Sequence, residues 1–415
     1  MILDTSKYVG PCVCGRVHEL RTKLVVCESG AMSGFDGYMA RCGLSGRRAV
    51  IYDTNTYALP SLVRPAAEQE IVLNAAGLHS EKGLIEDMMS RLDGRPDYIV
   101  AVGGGTIMDF GRYSAFKLGI PFVAVPTLVS SDGFTANICS IIIDGQKKSI
   151  PMLAPDAVIC DLDVVSGAPM FLTVSGVQDI LSKYISLADW KIAHLVSGEY
   201  FCPMVCSMAR EALGIMAVCA QQLRQGLPPD HEKMAYAQML SGLTMQILSH
   251  SRAASGAEHL IAHLVEMKPR GFENARGLHG ECVGVGTVMC AEEYHRLAGA
   301  GTPQTRAFEP LDAAWLRERF GPMTEGILRE NENDVLRSVD PARLRERWPE
   351  ICAVIAEIPP ADALRALFRD IGAKYRLSDL GVDDALGREA LEMSAAIRNR
   401  LTLCRLERLI VELAP

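Results

Sequence analysis

Apolar residues in the first third of the chain fall in short unbroken runs, each followed by a stretch with helical spacing. Runs at 24–26, 48–52, 70–73, 98–102, 122–125 and 157–160 are rich in Val, Ile, Ala and Tyr and read as strands buried on both faces. Helical patterns at 34–42, 80–92 and 107–118 separate several of them. Strands alternating with helices of that length predict parallel β-α-β units and a doubly wound, Rossmann-like sheet. Two further runs, 140–143 and 147–150, flank Asp144-Gly145 and predict a small hairpin. Beyond about residue 168 the period changes to the helical one, with long patterns at 176–196, 203–225, 231–250, 255–267 and 280–298. Residues 302–350 are more charged and carry several prolines, which predicts loops and surface helices; 360–412 return to amphipathic helices. The expected architecture is an α/β domain over 1–165 followed by an all-α domain over 166–415, with an active site in the cleft between them.

Length and composition fit that reading. A chain of 415 residues, 49% hydrophobic and 22% charged, has material for two cores. A net charge of −8 argues against a general nucleic-acid binder. No run approaches the length of an uncharged membrane span, and the first twenty residues lack the basic and apolar regions of a secretion signal, so a cytoplasmic protein is expected. Thirteen cysteines are scattered without disulfide-framework spacing, as suits a reducing compartment.

Four features carry chemistry. Gly103-Gly104-Gly105-Thr106 follows the strand at 98–102 and opens a helix. Bare backbone at a helix N-terminus lets a pyrophosphate approach N–H groups, although a tight strand-to-helix turn needs glycine on steric grounds alone. His259 and His263 stand at i, i+4 and share a helix face, which reads either as a polar face or as part of a metal site. A metal needs further ligands; His279 lies nearby at a loop-to-helix junction, and Asp179 sits early in a helix where an acid also complements the dipole. Asp53 ends the second strand; it reads as a ribose-binding carboxylate, which favours NAD with NADP open, or as an acidic turn residue. Cys12-Val13-Cys14-Gly15-Arg16-Val17-His18 looks like half a zinc site with Cys27 as a fourth ligand, or like a terminal turn with buried thiols.

In order along the chain, four blocks resemble the iron-containing alcohol dehydrogenase and dehydroquinate synthase-like superfamily, and within it the sn-glycerol-1-phosphate dehydrogenases of the bacterial branch. The blocks are Gly103-Gly104-Gly105-Thr106-Ile107-Met108-Asp109; Pro126-Thr127-Leu128-Val129-Ser130-Ser131-Asp132-Gly133; residues 175–184 with Ala188-Asp189-Trp190-Lys191; and Ser255-Gly256-Ala257-Glu258-His259 through His263, with His279-Gly280-Glu281. The tail at 397–403 is similar too.

This resemblance implies metal-dependent, NAD(P)H-linked interconversion of dihydroxyacetone phosphate and sn-glycerol 1-phosphate by a homo-oligomer, at least a dimer. It implies Asp179, His259 and His279 as ligands of one zinc or nickel ion, and Asp132, Asp179 and His263 as substrate contacts. His263 with Asp132 is then the candidate proton relay, or His263 only orients the substrate by hydrogen bonding. Gly103, Gly104, Gly105, Thr106 and Ile107 match the pyrophosphate loop, and Thr127, Leu128, Val129 and Ser130 a second cofactor segment. Two departures stand out: Gln178 where relatives often carry glycine, and a longer loop at 268–276. Lys147, Lys148 and Lys183 are candidate phosphate cations. Alternatives on the same scaffold are a glycerol or other polyol dehydrogenase and a dehydroquinate synthase-like cyclase; a non-catalytic nucleotide sensor is the alternative of another class.

Overall fold

Seven strands form the central sheet of the computed structural model, which describes residues 1–143 and 146–411. They are β1 (Ile2–Leu3), β2 (Leu24–Glu28), β3 (Arg48–Asp53), β4 (Gln69–Leu73), β5 (Tyr98–Gly103), β6 (Phe122–Pro126) and β7 (Ala157–Asp161). Their spatial order is β1-β2-β7-β6-β5-β3-β4. All pairings are parallel except that of the edge strand β1 with β2. Alternate residues Leu24, Val26, Val50, Tyr52, Val100, Val102, Val123 and Val125 build a core on one face with Met32, Phe35 and Met39. The intervening residues Val25, Ile51, Ile99, Ala101 and Phe122 are equally buried on the other. That two-sided burial is why the runs read as continuous apolar strands.

The chain leaves β3 for β4 in one direction and then builds β5, β6 and β7 in the other. The carboxyl ends of the neighbours β3 and β5 therefore flank a topological switch point, the usual ligand crevice of open α/β sheets. Helices α1 (Phe35–Cys42), α2 (Lys82–Ser90) and α3 (Gly105–Leu118) connect the strands. A Cβ at Gly111 of α3 would come within 2.7 Å of Ala101 Cβ and 2.8 Å of Phe122, so that glycine sets the close approach of helix to sheet.

The second half is built on α4 (Met170–Leu181), α5 (Lys183–Ser197), α6 (Pro203–Arg224), α7 (His231–Leu248), α8 (Ala257–Met267) and α9 (His279–Gly299). The single pattern expected over 176–196 is thus two helices parted at Ser182. Shorter helices follow, including Ala313–Phe320, Ala361–Asp370 and Gly387–Ala396. The helices expected over 360–412 stop short of that range's end: the last described residues, Ile410–Val411, pair as a strand with Gln304–Thr305. The hairpin forms from Ile138–Ile143 and Gln146–Pro151, and its Asp144-Gly145 turn lies outside the described residues. Helix α6 is long and apolar enough to cross a membrane by length and composition alone. Half of its most apolar stretch is buried in the protein.

Contacts divide the chain into two units, one of Met1–Ile180 with Ser207–Ser251 and the other of Leu181–Cys206 with Arg252–Pro415. Within the second, α8 and α9 pack on Gly387–Ala396 around Leu260, Leu264, Val283, Val285 and Met393.

Candidate active site

The glycine loop sits where β5 ends. The first hydrogen bond of α3 runs from Met108 N to Gly104 O at 3.0 Å. The N–H groups of Gly105, Thr106 and Ile107 therefore have no carbonyl within the helix to bond and are directed out of its N-terminus. Gly104 has φ −87° and Gly105 begins the helix, whereas Gly103 has φ +157°, a conformation that side chains rarely adopt. Space beside Gly103 is short as well. A Cβ at Gly103 would lie 3.0 Å from Ile107 Cβ, and one at Gly104 would meet Leu128 Cδ2 at 3.5 Å. Thr127 N donates to Gly103 O at 3.2 Å, which brings the 127–130 segment beside the loop. Asp53 ends β3, the neighbour of β5. Its Oδ1 accepts from Thr56 N at 2.8 Å and its Oδ2 from Thr56 Oγ1 at 3.2 Å, making it the N-cap of a short helix. The three expected cofactor segments thus converge on the carboxyl ends of β3, β5 and β6.

The segment after Thr127 is held by close packing that only glycine allows. A methyl at Gly176 of α4 would overlap the Val129 carbonyl oxygen. That same oxygen accepts from Gln238 Nε2 at 2.7 Å. A methyl at Gly242 of α7 would overlap the Asp132 carbonyl oxygen. Pressed between these helices, Asp132 N donates to Asp179 Oδ2 at 2.9 Å, and Asp132 Oδ2 accepts from Ser241 Oγ at 2.7 Å. Arg112 of α3, buried, donates to the carbonyls of Gly133 and Ile138 at 2.7 and 2.6 Å and keeps the turn rigid. Asp132 and Asp179 are both buried.

The histidines are set by a second group of contacts. A methyl at Gly286 of α9 would overlap the Glu258 carbonyl, so α8 and α9 cross there at near backbone contact. Gly286 is two turns beyond His279 on the same face, so this crossing brings the start of α9 to α8. The His259 and His279 rings lie 5.4 Å apart between centroids, and those of His263 and His279 5.9 Å. Carboxylates back all three. His259 Nδ1 bonds Glu258 Oε1 at 2.7 Å, His279 Nδ1 bonds Glu266 Oε1 at 2.9 Å, and His263 Nδ1 bonds Glu266 Oε2 at 3.2 Å. A carboxylate at Nδ1 keeps the ring proton there and leaves Nε2 as the coordinating atom. Leu278 N donates to Glu281 at 2.8 Å and fixes the start of α9.

Asp179, His259 and His279 each offer a ligand atom, and the three atoms lie within 4.8 Å of one another. His263 is not among them. One carboxylate with two imidazoles, each ring anchored from behind, is a donor set for a borderline divalent ion with coordination positions left open.

Glu258, Glu266 and Asp189 were assigned no role from the sequence, although Glu258 and Asp189 lie in the blocks that carry the resemblance. Asp189 is buried and accepts from Ala257 N at 2.8 Å, Leu403 N at 2.8 Å and Tyr294 Oη at 2.7 Å. It thereby tethers the first turn of α8 to the C-terminal segment, and burial pushes its pKa up to about 6. Of the expected phosphate cations, Lys183 is buried in α5, Lys148 lies on the hairpin strand opposite Ile141, and the side chain of Lys147 lies outside the described residues.

Comparison with known proteins shows the family and the fold. The family model for iron-containing alcohol dehydrogenases matches residues 26–169. A glycerol-1-phosphate dehydrogenase [NAD(P)+] of Bacillus licheniformis is 33% identical over 372 residues, covering 84% of this chain and 92% of its own. The chain belongs to the glycerol-1-phosphate dehydrogenase family. A protein of the same name from Halalkalibacterium halodurans is 28% identical over 97% of this chain and 96% of its own. Among solved structures, a probable glycerol dehydrogenase from Sinorhizobium meliloti 1021 superposes with a TM-score of 0.62 at 19% identity. It covers 95% of this chain and 93% of that one, and shares the fold.

Proposed function

We propose that this protein interconverts dihydroxyacetone phosphate and sn-glycerol 1-phosphate with NAD(P)H in the cytoplasm. Membership of the family supports the reaction, and the Asp179, His259 and His279 cluster carries the chemical reading. When bound, the divalent ion supplies Lewis acidity to the substrate C2 oxygen, and the nicotinamide supplies the hydride. Zinc and nickel both suit one oxygen and two imidazole nitrogens.

Asp179, His259 and His279 would hold the ion. Glu258 and Glu266 orient the two imidazoles through their Nδ1 atoms. Asp179 also accepts the Asp132 amide, which aligns its carboxylate and fixes the Asp132 turn. The outward N–H groups of Gly105, Thr106 and Ile107 would hold the cofactor pyrophosphate beside Gly103 and Gly104, with Thr127, Leu128, Val129 and Ser130 alongside. Asp53 keeps lone pairs beyond its capping bonds for ribose hydroxyls, and its charge disfavours a 2′-phosphate, so NAD is the preferred cofactor.

Reduction consumes one proton as well as the hydride. His263 would give that proton up at Nε2, its Nδ1 being bonded to Glu266, with Asp132 as the partner that orients substrate. The test is NADH oxidation with dihydroxyacetone phosphate, run on metal-free protein and after adding zinc or nickel. Turnover that appears only with the ion, and glycerol 1-phosphate oxidation that exceeds glycerol oxidation, are expected. Turnover on glycerol alone would overturn the substrate, and full activity without an ion would overturn the metal role.

A further inference from the structure

Cys12, Cys14, His18 and Cys202 offer a second set of ligand atoms, all within 4.8 Å of one another. We infer that they form a structural zinc site, separate from the Asp179, His259 and His279 set and independent of the reaction proposed above. The residues come together for local reasons. Gly10–Pro11 pairs antiparallel with Val17–His18. Cys12 N donates to Arg16 O at 2.9 Å and Gly15 N to Cys12 O at 3.0 Å, closing a tight turn. Gly15 occupies φ +84°, where a side chain would be strained. That turn places both cysteines against the histidine of the returning strand, with Cys14 Sγ 3.3 Å from His18 Nε2.

The fourth ligand is Cys202 rather than the expected Cys27. Cys27 is buried in β2, in register with Cys160 of β7. Cys202 is fully buried, and its carbonyl accepts the first bond of α6, from Cys206 N at 3.0 Å. It is therefore the residue that starts a 22-residue helix, a position that favours a thiolate.

Three observations select a metal over a turn with buried thiols. Three sulfurs and one imidazole nitrogen are a tetrahedral zinc set. In such a set, bonds of about 2.3 Å to sulfur place the sulfurs about 3.8 Å apart, inside the span seen here. The hairpin has almost no core of its own: Val13 is 90% exposed and Val17 67%, and its strands are two residues each. Two-stranded hairpins of that kind are marginal in water unless something else ties them. His18, by contrast, is only 3% exposed, so the hairpin buries its ligand and exposes its apolar side chains.

The experiment uses the full chain carrying His259→Ala, which removes one ligand of the other set. Metal analysis after dialysis against a weak chelator should find one zinc per chain, and adding Cys12→Ser and Cys14→Ser should abolish it. Cobalt(II) in place of zinc should give a thiolate charge-transfer band and tetrahedral d–d bands, absent from the cysteine variant. X-ray absorption on the unsubstituted zinc protein needs no folded variant. It should show sulfur in the zinc shell at about 2.3 Å. A zinc shell of only nitrogen and oxygen, or unchanged zinc content without Cys12 and Cys14, would overturn the site.

Discussion

Removing Glu266 tests whether the carboxylates behind the histidines do what their geometry implies. Its Oε1 takes the Nδ1 proton of His279 at 2.9 Å, and its Oε2 faces His263 Nδ1 at 3.2 Å. A hydrogen bond to a charged acceptor contributes about 1.5–3 kcal/mol. The His279 side chain is 34% exposed, so solvent competes and the lower end applies. About 1.5 kcal/mol is roughly tenfold in the dissociation constant of the ion. Loss of a carboxylate behind a ligating histidine weakens metal binding by about 10–100-fold, so the low end agrees. The longer bond goes to His263, which is not a ligand and so holds no donor atom of the ion in place. Glu266→Ala should therefore weaken the ion about tenfold, and Glu266→Gln, whose carbonyl still serves one imidazole, should weaken it less. The assay is competition with a chromophoric chelator of known affinity, in a Cys12→Ser, Cys14→Ser background so that only the Asp179 set reports. Affinity within twofold of the parent in Glu266→Ala would refute the orienting role. Complete loss of the ion would show Glu266 to be a ligand itself.

Three other outcomes are open to measurement. Gly104→Val should weaken NADH severely by calorimetry while leaving metal content intact, because a branched side chain would crowd Leu128 where the backbone must stay bare; unchanged affinity in a folded variant would remove this loop from the cofactor site. Gly176→Ala should destabilise the fold by about 1–3 kcal/mol, since the added methyl meets the Val129 carbonyl; an unchanged melting temperature would show that α4 can retreat at no cost. Burial raises the Asp189 pKa to about 6, so the folded chain keeps that proton longer than the unfolded one. Its contribution to stability is full below about pH 4 and falls as pH rises through 6, by about 3 kcal/mol in all. The stability gap between the parent and Asp189→Asn should accordingly narrow from pH 4 to pH 8 in denaturant titrations, and a gap that widens would contradict the sign.

Where the sequence was legible, one local pattern carried the whole signal. Strands such as 98–102 are buried on both faces, so their apolar runs announce them, and Gly103 to Gly105 mark the turn that follows. Contacts between distant elements left no such mark. Gly176, Gly242 and Gly286 look like ordinary helix glycines, yet each is required by a carbonyl belonging to another segment. Their neighbours in sequence do not reveal that. The break at Ser182 and the strand at Ile410–Val411 escaped for the same reason, because apolar spacing through them continues the helical pattern. His259 was visible through its i, i+4 partner, whereas Cys202 lies far beyond the N-terminal cysteines and nothing near it suggests a ligand.

Glu258 and Glu266 show most clearly how chemistry hides in a plain pattern. On a helix with histidines at 259 and 263, the spacing alone gives the acids at 258 and 266 no role. The fold instead buries Glu258 completely and turns Glu266 onto two rings at once. Burying a carboxylate beside an imidazole is costly unless it does something for that ring. Here it fixes the tautomer, which a metal ligand needs and a surface histidine does not. Sharing Glu266 between His279 and His263 has a consequence of its own. When His263 gains a proton at Nε2, its Nδ1–H draws harder on the carboxylate that orients His279, and when it loses that proton the pull weakens. The imidazole proposed to hold the ion and the imidazole proposed to move the proton are thus coupled through one side chain. A defect at Glu266 should therefore reach both ion affinity and the pH profile of turnover, where a defect at Glu258 should reach ion affinity alone.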